Sequence, residues 1–337
     1  MARKKLSAAV TQADVARDAG VSVVTVSRAL SDPMLVAEET RDRVLEAAAR
    51  LGYTPNLLAS WLSSRRSKTI GVIIHELDYA YFSPILSALE EKAREEGYLV
   101  IMTESLRQVA LEREVVDRFR QLLVSAIVVH PSSSKTEHLE EADRTGTPVI
   151  AFARPWAGGD SVAVDNVEAG AIAAQFLLDR IGSDVMIVET EDAENIPARK
   201  RVVGFADHFS KAGHMVSPEQ IVGVPDTSFE SGRAAADRVA ERMPRAVFCV
   251  TDRLAFGLIN RLLERGIRVP EDIAVVGCDN LPQAAYSQVP LTTVKMPVNR
   301  MSKLITSMVF DRINHPDKLS QRQELLVPEL IVRNSCS

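Results

Sequence analysis

The chain has 337 residues, of which 46% are hydrophobic and 25% charged, and a net charge of −5. At roughly 150 residues per domain it holds two domains with room for a smaller third, and this composition excludes a disordered, collagen-like or disulfide-stapled chain. No apolar run approaches the roughly 18 residues that span a bilayer, so no membrane partner is expected. The stretch Met1 to Val10 is basic but has no apolar core, which argues against export. Cys249, Cys278 and Cys336 are widely spaced and odd in number. They fit neither a disulfide framework nor a zinc site, and they point to the reducing cytoplasm. Charge is uneven along the chain: residues 1–68 carry 11 Lys and Arg against 7 acids, and the remainder 29 against 38. A basic head on an acidic body suits a chain with one end that meets phosphates, although a basic terminus of no consequence has the same balance.

Two short helices joined by a tight turn are predicted between Gln12 and Leu30. Val15, Ala16 and Ala19 share one face of the first helix, and Gly20 supplies a turn where positive φ is cheap. Ser22 suits the N-cap of the second helix, with Val26 and Leu30 turned to the core. A third helix runs from about Glu38 to Leu51, with Val44, Leu45, Ala48 and Leu51 at helical spacing, and Gly52 stops it. Three short helices with this turn make a helix-turn-helix unit, in which the start of the second helix enters the major groove. There Val23 and Val24 can read only apolar features such as a thymine methyl, while Arg28 can grip a guanine through two hydrogen bonds. Thr11, Ser22, Thr25 and Ser27 suit phosphate oxygens. Core packing is the other reading of the two valines. Two adjacent helical residues cannot both share a face with Val26 and Leu30, so at least one is exposed.

From Thr69 onward short apolar runs alternate with amphipathic stretches. Strands are predicted at Thr69–Ile74, Leu99–Met102, Ala126–Val129 and Val149–Phe152, with a helix from Phe82 to Gly97. The pattern resumes at Val185–Val188, Gln220–Val224, Ala246–Val250 and Ile273–Val276. Such alternation specifies an α/β fold with doubly wound parallel sheets covered on both faces. The break near Asp165 divides it into two lobes. Ligands bind such sheets at the carboxyl ends of the strands, so a cleft between the lobes is the expected site.

The string from Asp14 through Gly20-Val21-Ser22-Val23-Val24-Thr25-Val26-Ser27-Arg28 to Leu30 resembles the head of the LacI/GalR family of bacterial transcriptional regulators. Thr40-Arg41-Asp42-Arg43-Val44 and Leu51-Gly52-Tyr53-Thr54-Pro55-Asn56 extend the likeness. In the body it continues at Ser161–Asn166, Val276–Asn280, Leu291–Val294 and Leu330–Cys336. The resemblance implies a helix-turn-helix head at 1–54, a hinge helix and linker at 55–68, and an effector-binding and dimerisation domain at 69–337. That domain is periplasmic-binding-protein-like, with lobe one at about 69–164 plus 291–323 and lobe two at about 165–290 plus 324–337. Asn56 is implied as a further DNA contact. Leu62 stands where the family wedges a leucine into the minor groove. Ala59-Ser60-Trp61-Leu62 departs from the family's usual arginine before that leucine, and Trp61 is open to packing the paired hinges instead. The run Arg65-Arg66-Ser67-Lys68 fits phosphate contacts and a solvated linker equally well.

The effector positions implied by the same resemblance are Tyr81, Phe82, Arg154, Arg201, Phe229, Thr251, Asp252 and Asp279. Each has a blander reading in packing, loop capping or solvation. Ala153 replaces an aspartate that often accepts two hydroxyls in the family, Gly182-Ser183 replaces the usual Gly-His, and Lys295 replaces a glutamine. The expected protein is a repressor that binds a palindromic double-stranded DNA operator as a homodimer. Its expected effector is a sugar or polyol, with a nucleobase as the lesser alternative, and no cofactor or metal is implied. The chain ends soon after Arg333, which leaves no tetramer-forming tail and favours a dimer. A plain solute-binding protein predicts an export signal and no head. An enzyme predicts a catalytic motif, and the six histidines show no H-E-x-x-H; no phosphate loop, nucleophile elbow or dinucleotide fingerprint is present either.

Overall fold

A computed structural model describes residues 10–31, 35–54, 67–315 and 320–337. The expected hinge helix, with Asn56 and Leu62, lies outside the described residues. The chain divides into two compact units, one up to Ser67 and one from Lys68 onward.

The first unit contains α1 (Gln12–Ala19), α2 (Val23–Ser31) and α3 (Glu38–Leu51). Val15, Ala16, Val26, Ala29, Val44 and Ala47 form its core. These side chains are small, so three short helices can pack closely around them. The buried stripe of α3 runs through Val44, Ala47 and Ala48, and Leu45, expected inside, is 47% exposed. A stripe at i, i+3, i+4 leaves the residue one step beyond its first member on the flank. Thr11 caps α1 in a reciprocal box: its hydroxyl oxygen accepts the Asp14 N–H at 3.4 Å, and the Thr11 N–H donates to the Asp14 carboxylate at 3.0 Å. Gly20 follows at φ +66°, a conformation that costs a residue with a Cβ about 1–2 kcal/mol.

The second unit holds two six-stranded sheets. The first comprises β1 (Thr69–Ile74), β2 (Leu99–Glu104), β3 (Ala126–Val129), β4 (Val149–Ala153), β5 (Asp160–Val164) and β11 (Gln323–Leu326), in the order β11-β5-β4-β3-β1-β2. All its pairings are parallel. Ile70, Val72 and Ile74 feed one face and Ile73 the other, so the β1 run is apolar throughout. The helices α4 (Ser83–Glu95), α5 (Val109–Gln121), α6 (Glu137–Arg144) and α11 (Val298–Asn314) belong to this lobe. The second sheet comprises β6 (Val185–Thr190), β7 (Ile221–Val224), β8 (Ala246–Cys249), β9 (Ala274–Asp279), β10 (Thr292–Lys295) and β12 (Glu329–Ile331). Its order is β12-β10-β9-β8-β6-β7, and only the β10/β12 pair is antiparallel. With it go α7 (Asn166–Arg180), α8 (Ile196–Lys211), α9 (Phe229–Arg242) and α10 (Asp252–Glu264).

The chain therefore passes between lobes at Val164–Asn166, Lys295–Val298 and Leu326–Glu329. The second and third passages correct the expected returns at Leu291 and Gln323. Thr292 and Thr293 are fully buried in the second sheet, where Thr292 N–H bonds to Ser335, and β11 extends the first sheet as far as Leu326. Within the second lobe, α7 and α8 cross at Gly170 and Gly204. A Cβ on Gly170 lies 1.8 Å from the Arg201 carbonyl oxygen, and one on Gly204 lies 1.9 Å from that of Val167. Only glycine allows this backbone approach, and the approach brings Arg201 beside Asn166.

Candidate functional sites

In the first unit α2 has two opposite faces. Val26 and Ala29 are buried, while Val23 and Val24 are 45% and 59% exposed on the side that also carries Ser27 and Arg28. Both valines are thus outside, one more than the sequence argument required. Ser22 caps α2: its hydroxyl accepts the Thr25 N–H at 3.1 Å and bonds to the Thr25 hydroxyl at 2.8 Å.

In the second unit a small cavity of about 50 Å³ lies between the lobes. A ring-sized guest enters only if the lobes part or the aromatic side chains turn. The lining residues sit just past the carboxyl ends of the strands: Tyr79 after β1, Arg107 after β2, His130 after β3, Asn195 after β6 and Thr227 after β7. Tyr81, Phe82, Arg201, Thr251 and Asp279, five of the eight candidate positions, also line the cavity. Arg154, Phe229 and Asp252 do not line this cavity. Arg154 turns into a neighbouring pocket, and Phe229 lines a surface groove with Phe256 and Val289.

An ion pair organises the cavity. Arg201 lies 3.1 Å from Asp279, donates from Nε to Asn166 at 2.9 Å, and donates to the Val250 carbonyl. Tyr79, from the first lobe, donates its hydroxyl to Asp279 of the second. Burial, with the Asp279 charge beside it, pushes the Tyr79 phenol well above its ordinary value, so it stays a donor. A second interlobe tie joins Arg253 to Glu76 at 3.1 Å, and Glu76 also receives Arg107 at 3.2 Å. His130 stacks on His75 with ring centroids 3.9 Å apart. Burial, then the charges of its neighbours, holds His130 well below the usual imidazole range, so it is neutral near pH 7. Its ring nitrogens have no hydrogen-bond partner among the described residues. Ala153 and Asp279 adopt φ of +61° and +131°, strained conformations at the cleft wall of the kind found around ligand sites.

Asp252 has a different role from the one expected. Thr251 N-caps α10 and faces the cavity, so the next side chain points into the lobe. Its carboxylate accepts the Leu281 N–H at 2.7 Å and the Thr293 hydroxyl at 2.5 Å, and a Cβ on Gly277 meets it at 2.4 Å. Burial, reinforced by the charge of Asp279, pushes this carboxyl up to about 7. The folded state then holds a proton that the unfolded chain releases above about pH 4. This stabilisation is complete below that pH and is lost as pH rises through about 7, by at most about 1.4 kcal/mol per unit. Asp252→Asn retains the neutral shape, and its urea midpoint should fall less than the parent's between about pH 5 and 8. Parallel pH profiles exclude this assignment.

Residues 11–56 match the family described as bacterial regulatory proteins, lacI family, and residues 183–336 match the periplasmic binding protein-like domain. The HTH-type transcriptional repressor PurR of Vibrio campbellii is 31% identical over 331 residues, covering 96% of this chain and 97% of its own. That of Vibrio parahaemolyticus is 30% identical, with the same coverage. A LacI-family transcriptional regulator from Silicibacter pomeroyi superposes with a TM-score of 0.85 at 24% identity, covering 97% of this chain and 99% of that one. A lac repressor dimer bound to operator and the anti-inducer ONPF gives 0.83 at 22%, covering 98% and 99%. Among the described residues no helix is long and apolar enough to cross a membrane. The chain belongs to the lacI family of bacterial regulatory proteins and is a transcriptional repressor with DNA-binding and ligand-binding domains.

Proposed function

We propose that the protein binds a palindromic operator as a homodimer, under the control of a sugar or polyol held between its lobes. The observation that carries the reading is the outer face of α2, where two valines and Arg28 stand exposed on a helix whose other side fills the core. A two-fold dimer presents two such faces to major grooves one helical turn apart. Thr11 and Ser22, at the starts of α1 and α2, set hydroxyls and helix N–H groups where phosphates are held. Occupancy of the cleft changes operator affinity only through different affinities for the two lobe arrangements, and the Tyr79–Asp279 bond ties one of them.

A nucleobase effector is the second reading, favoured by two observations. Ala153 offers no carboxylate to a pair of hydroxyls. Tyr81 and Phe82 face an adjacent donor and acceptor, Arg201 and Asp279, an arrangement suited to a flat heterocycle.

Fluorescence anisotropy on inverted repeats selected from random DNA, with sugars, polyols and nucleobases added in turn, tests both halves. The parent should prefer one repeat, and one ligand class should change that affinity. Arg28→Ala should cost about 1–3 kcal/mol at a single base pair of each half-site. Uniform weakening across sequences makes Arg28 a phosphate contact, and no preference for any repeat overturns the proposal.

A further inference from the structure

Two arginines of the second unit are more than nine-tenths buried, Arg154 and Arg201. Arg201 has its counter-charge in Asp279. Arg154 has no carboxylate within ion-pair distance among the described residues. Its Nη2 donates to the Glu194 main-chain carbonyl, and its Nε has no partner. A guanidinium removed from water without a paired anion is costly, and here the cost is offset by one neutral acceptor and by the more distant charges of Glu194, Glu112 and Asp192.

The surroundings of Arg154 are those of a pocket. A cavity of about 400 Å³ lies on the far side of the loops that wall the main one. His130, Ala153 and Asn195 face the main cavity, while Ser133, Arg154 and Lys200 from the same segments face this one. Lys200, on α8 of the second lobe, is exposed and has no acid partner among the described residues. The indole of Trp156 forms part of the wall. It lies under Gly158 and Gly159, where a Cβ comes within 2.6 Å and 2.5 Å of the ring, and its Nε1 is unpartnered. One acid, Glu140, also lines the pocket and accepts the Thr136 hydroxyl at 3.1 Å.

We propose that Arg154, Lys200 and the Ser133–Ser134 loop form a second subsite, beside the main cavity, that takes a phosphate group. The lining carries two cations and one carboxylate, while the charges of Arg107, Glu194, Glu112 and Asp192 reach Arg154 from outside it. Arg154 lines the pocket as a cation without an ion-pair partner, and the Ser133 and Ser134 hydroxyls beside it are further donors to phosphate oxygens. Because Arg154 comes from the first lobe and Lys200 from the second, the anion also joins the lobes. The phosphate is free inorganic phosphate or the phosphoryl group of a larger metabolite with its ring in the main cavity.

The test uses the full chain with Trp61→Phe, so that Trp156 is the only tryptophan. Inorganic phosphate is titrated at constant ionic strength against chloride, with tryptophan emission and melting temperature as readouts. Phosphate should change both where chloride does not. Arg154→Gln should abolish the response, Lys200→Gln should weaken apparent affinity about tenfold, and Glu140→Gln should strengthen it. Lys200 and Glu140 are exposed, so their opposite shifts decide the matter even if Arg154→Gln folds poorly. A hexose phosphate that binds at least about tenfold tighter than phosphate, with the gain lost in Arg201→Lys, identifies one ligand spanning both cavities. Equal binding identifies free phosphate. No phosphate-specific response in the parent, or one indifferent to Lys200→Gln and Glu140→Gln, overturns the subsite. Failure of the main cavity to bind any effector leaves the phosphate titration unaffected, so the two readings fail separately.

Discussion

Asp279→Ala should destabilise the second unit by about 3–5 kcal/mol, the cost of stripping the counter-charge from a buried cation. Arg201 is 7% exposed, and its remaining partners, Asn166 and the Val250 carbonyl, are neutral. The Tyr79 hydroxyl loses its acceptor at the same time. Asp279→Asn retains an acceptor but not the charge, so its loss should be intermediate. Joint replacement, Asp279→Asn with Arg201→Met, should recover part of the loss, because no unpaired charge is then buried. Urea unfolding of the four proteins checks the order. A single Asp279→Ala cost below about 1 kcal/mol means that water reaches the guanidinium.

The second large effect is steric. Gly204→Ala should cost about 3 kcal/mol or more, at the upper end of overpacking, because its Cβ meets a main-chain oxygen rather than a side chain that can turn away. The helices α7 and α8 must separate along their contact, which moves Arg201 away from Asn166. Gly170→Ala on the facing helix should behave alike. Gly213→Ala is the control: its site is open, so only the αL penalty of about 1–2 kcal/mol applies. Thermal melting ranks the three. Equal losses at Gly204 and Gly213 show that the helix contact is slack.

Much of the fold was legible because parallel strands buried on both faces are continuous apolar runs, as at Thr69–Ile74 and Ala126–Val129. β5 was harder to read. Asp160 opens it, and that carboxylate is buried only because Arg312 from α11 pairs with it through two bonds of 2.8 Å, a partner 152 residues away. The strands β10, β11 and β12 are short and mix polar or charged residues with apolar ones, so no continuous apolar run marks them. The cleft was half legible. Tyr79, Arg107, His130, Asn166 and Asn195 lie on loops or helix starts, where no hydrophobic pattern marks a side chain. Their one available signal is position, a polar or aromatic residue shortly after the carboxyl end of a strand. The resemblance placed Arg154 and Asp252 in the cleft, and in the structure each stands next to a residue, Ala153 or Thr251, that lines the cavity instead. Along a strand or helix start, neighbouring side chains diverge.

The three passages between the lobes are also cross-linked to one another. Val164 is in register with Leu326 on one side, Asp165 N–H bonds to the Leu326 carbonyl at 2.9 Å, and Lys295 is in register with Glu329 on the other. The Lys295 ammonium meets the Glu329 carboxylate at 2.6 Å. Three ribbons stitched side by side bend easily across their width and resist both shear and torsion. Any movement of one lobe against the other therefore has to bend these three segments together.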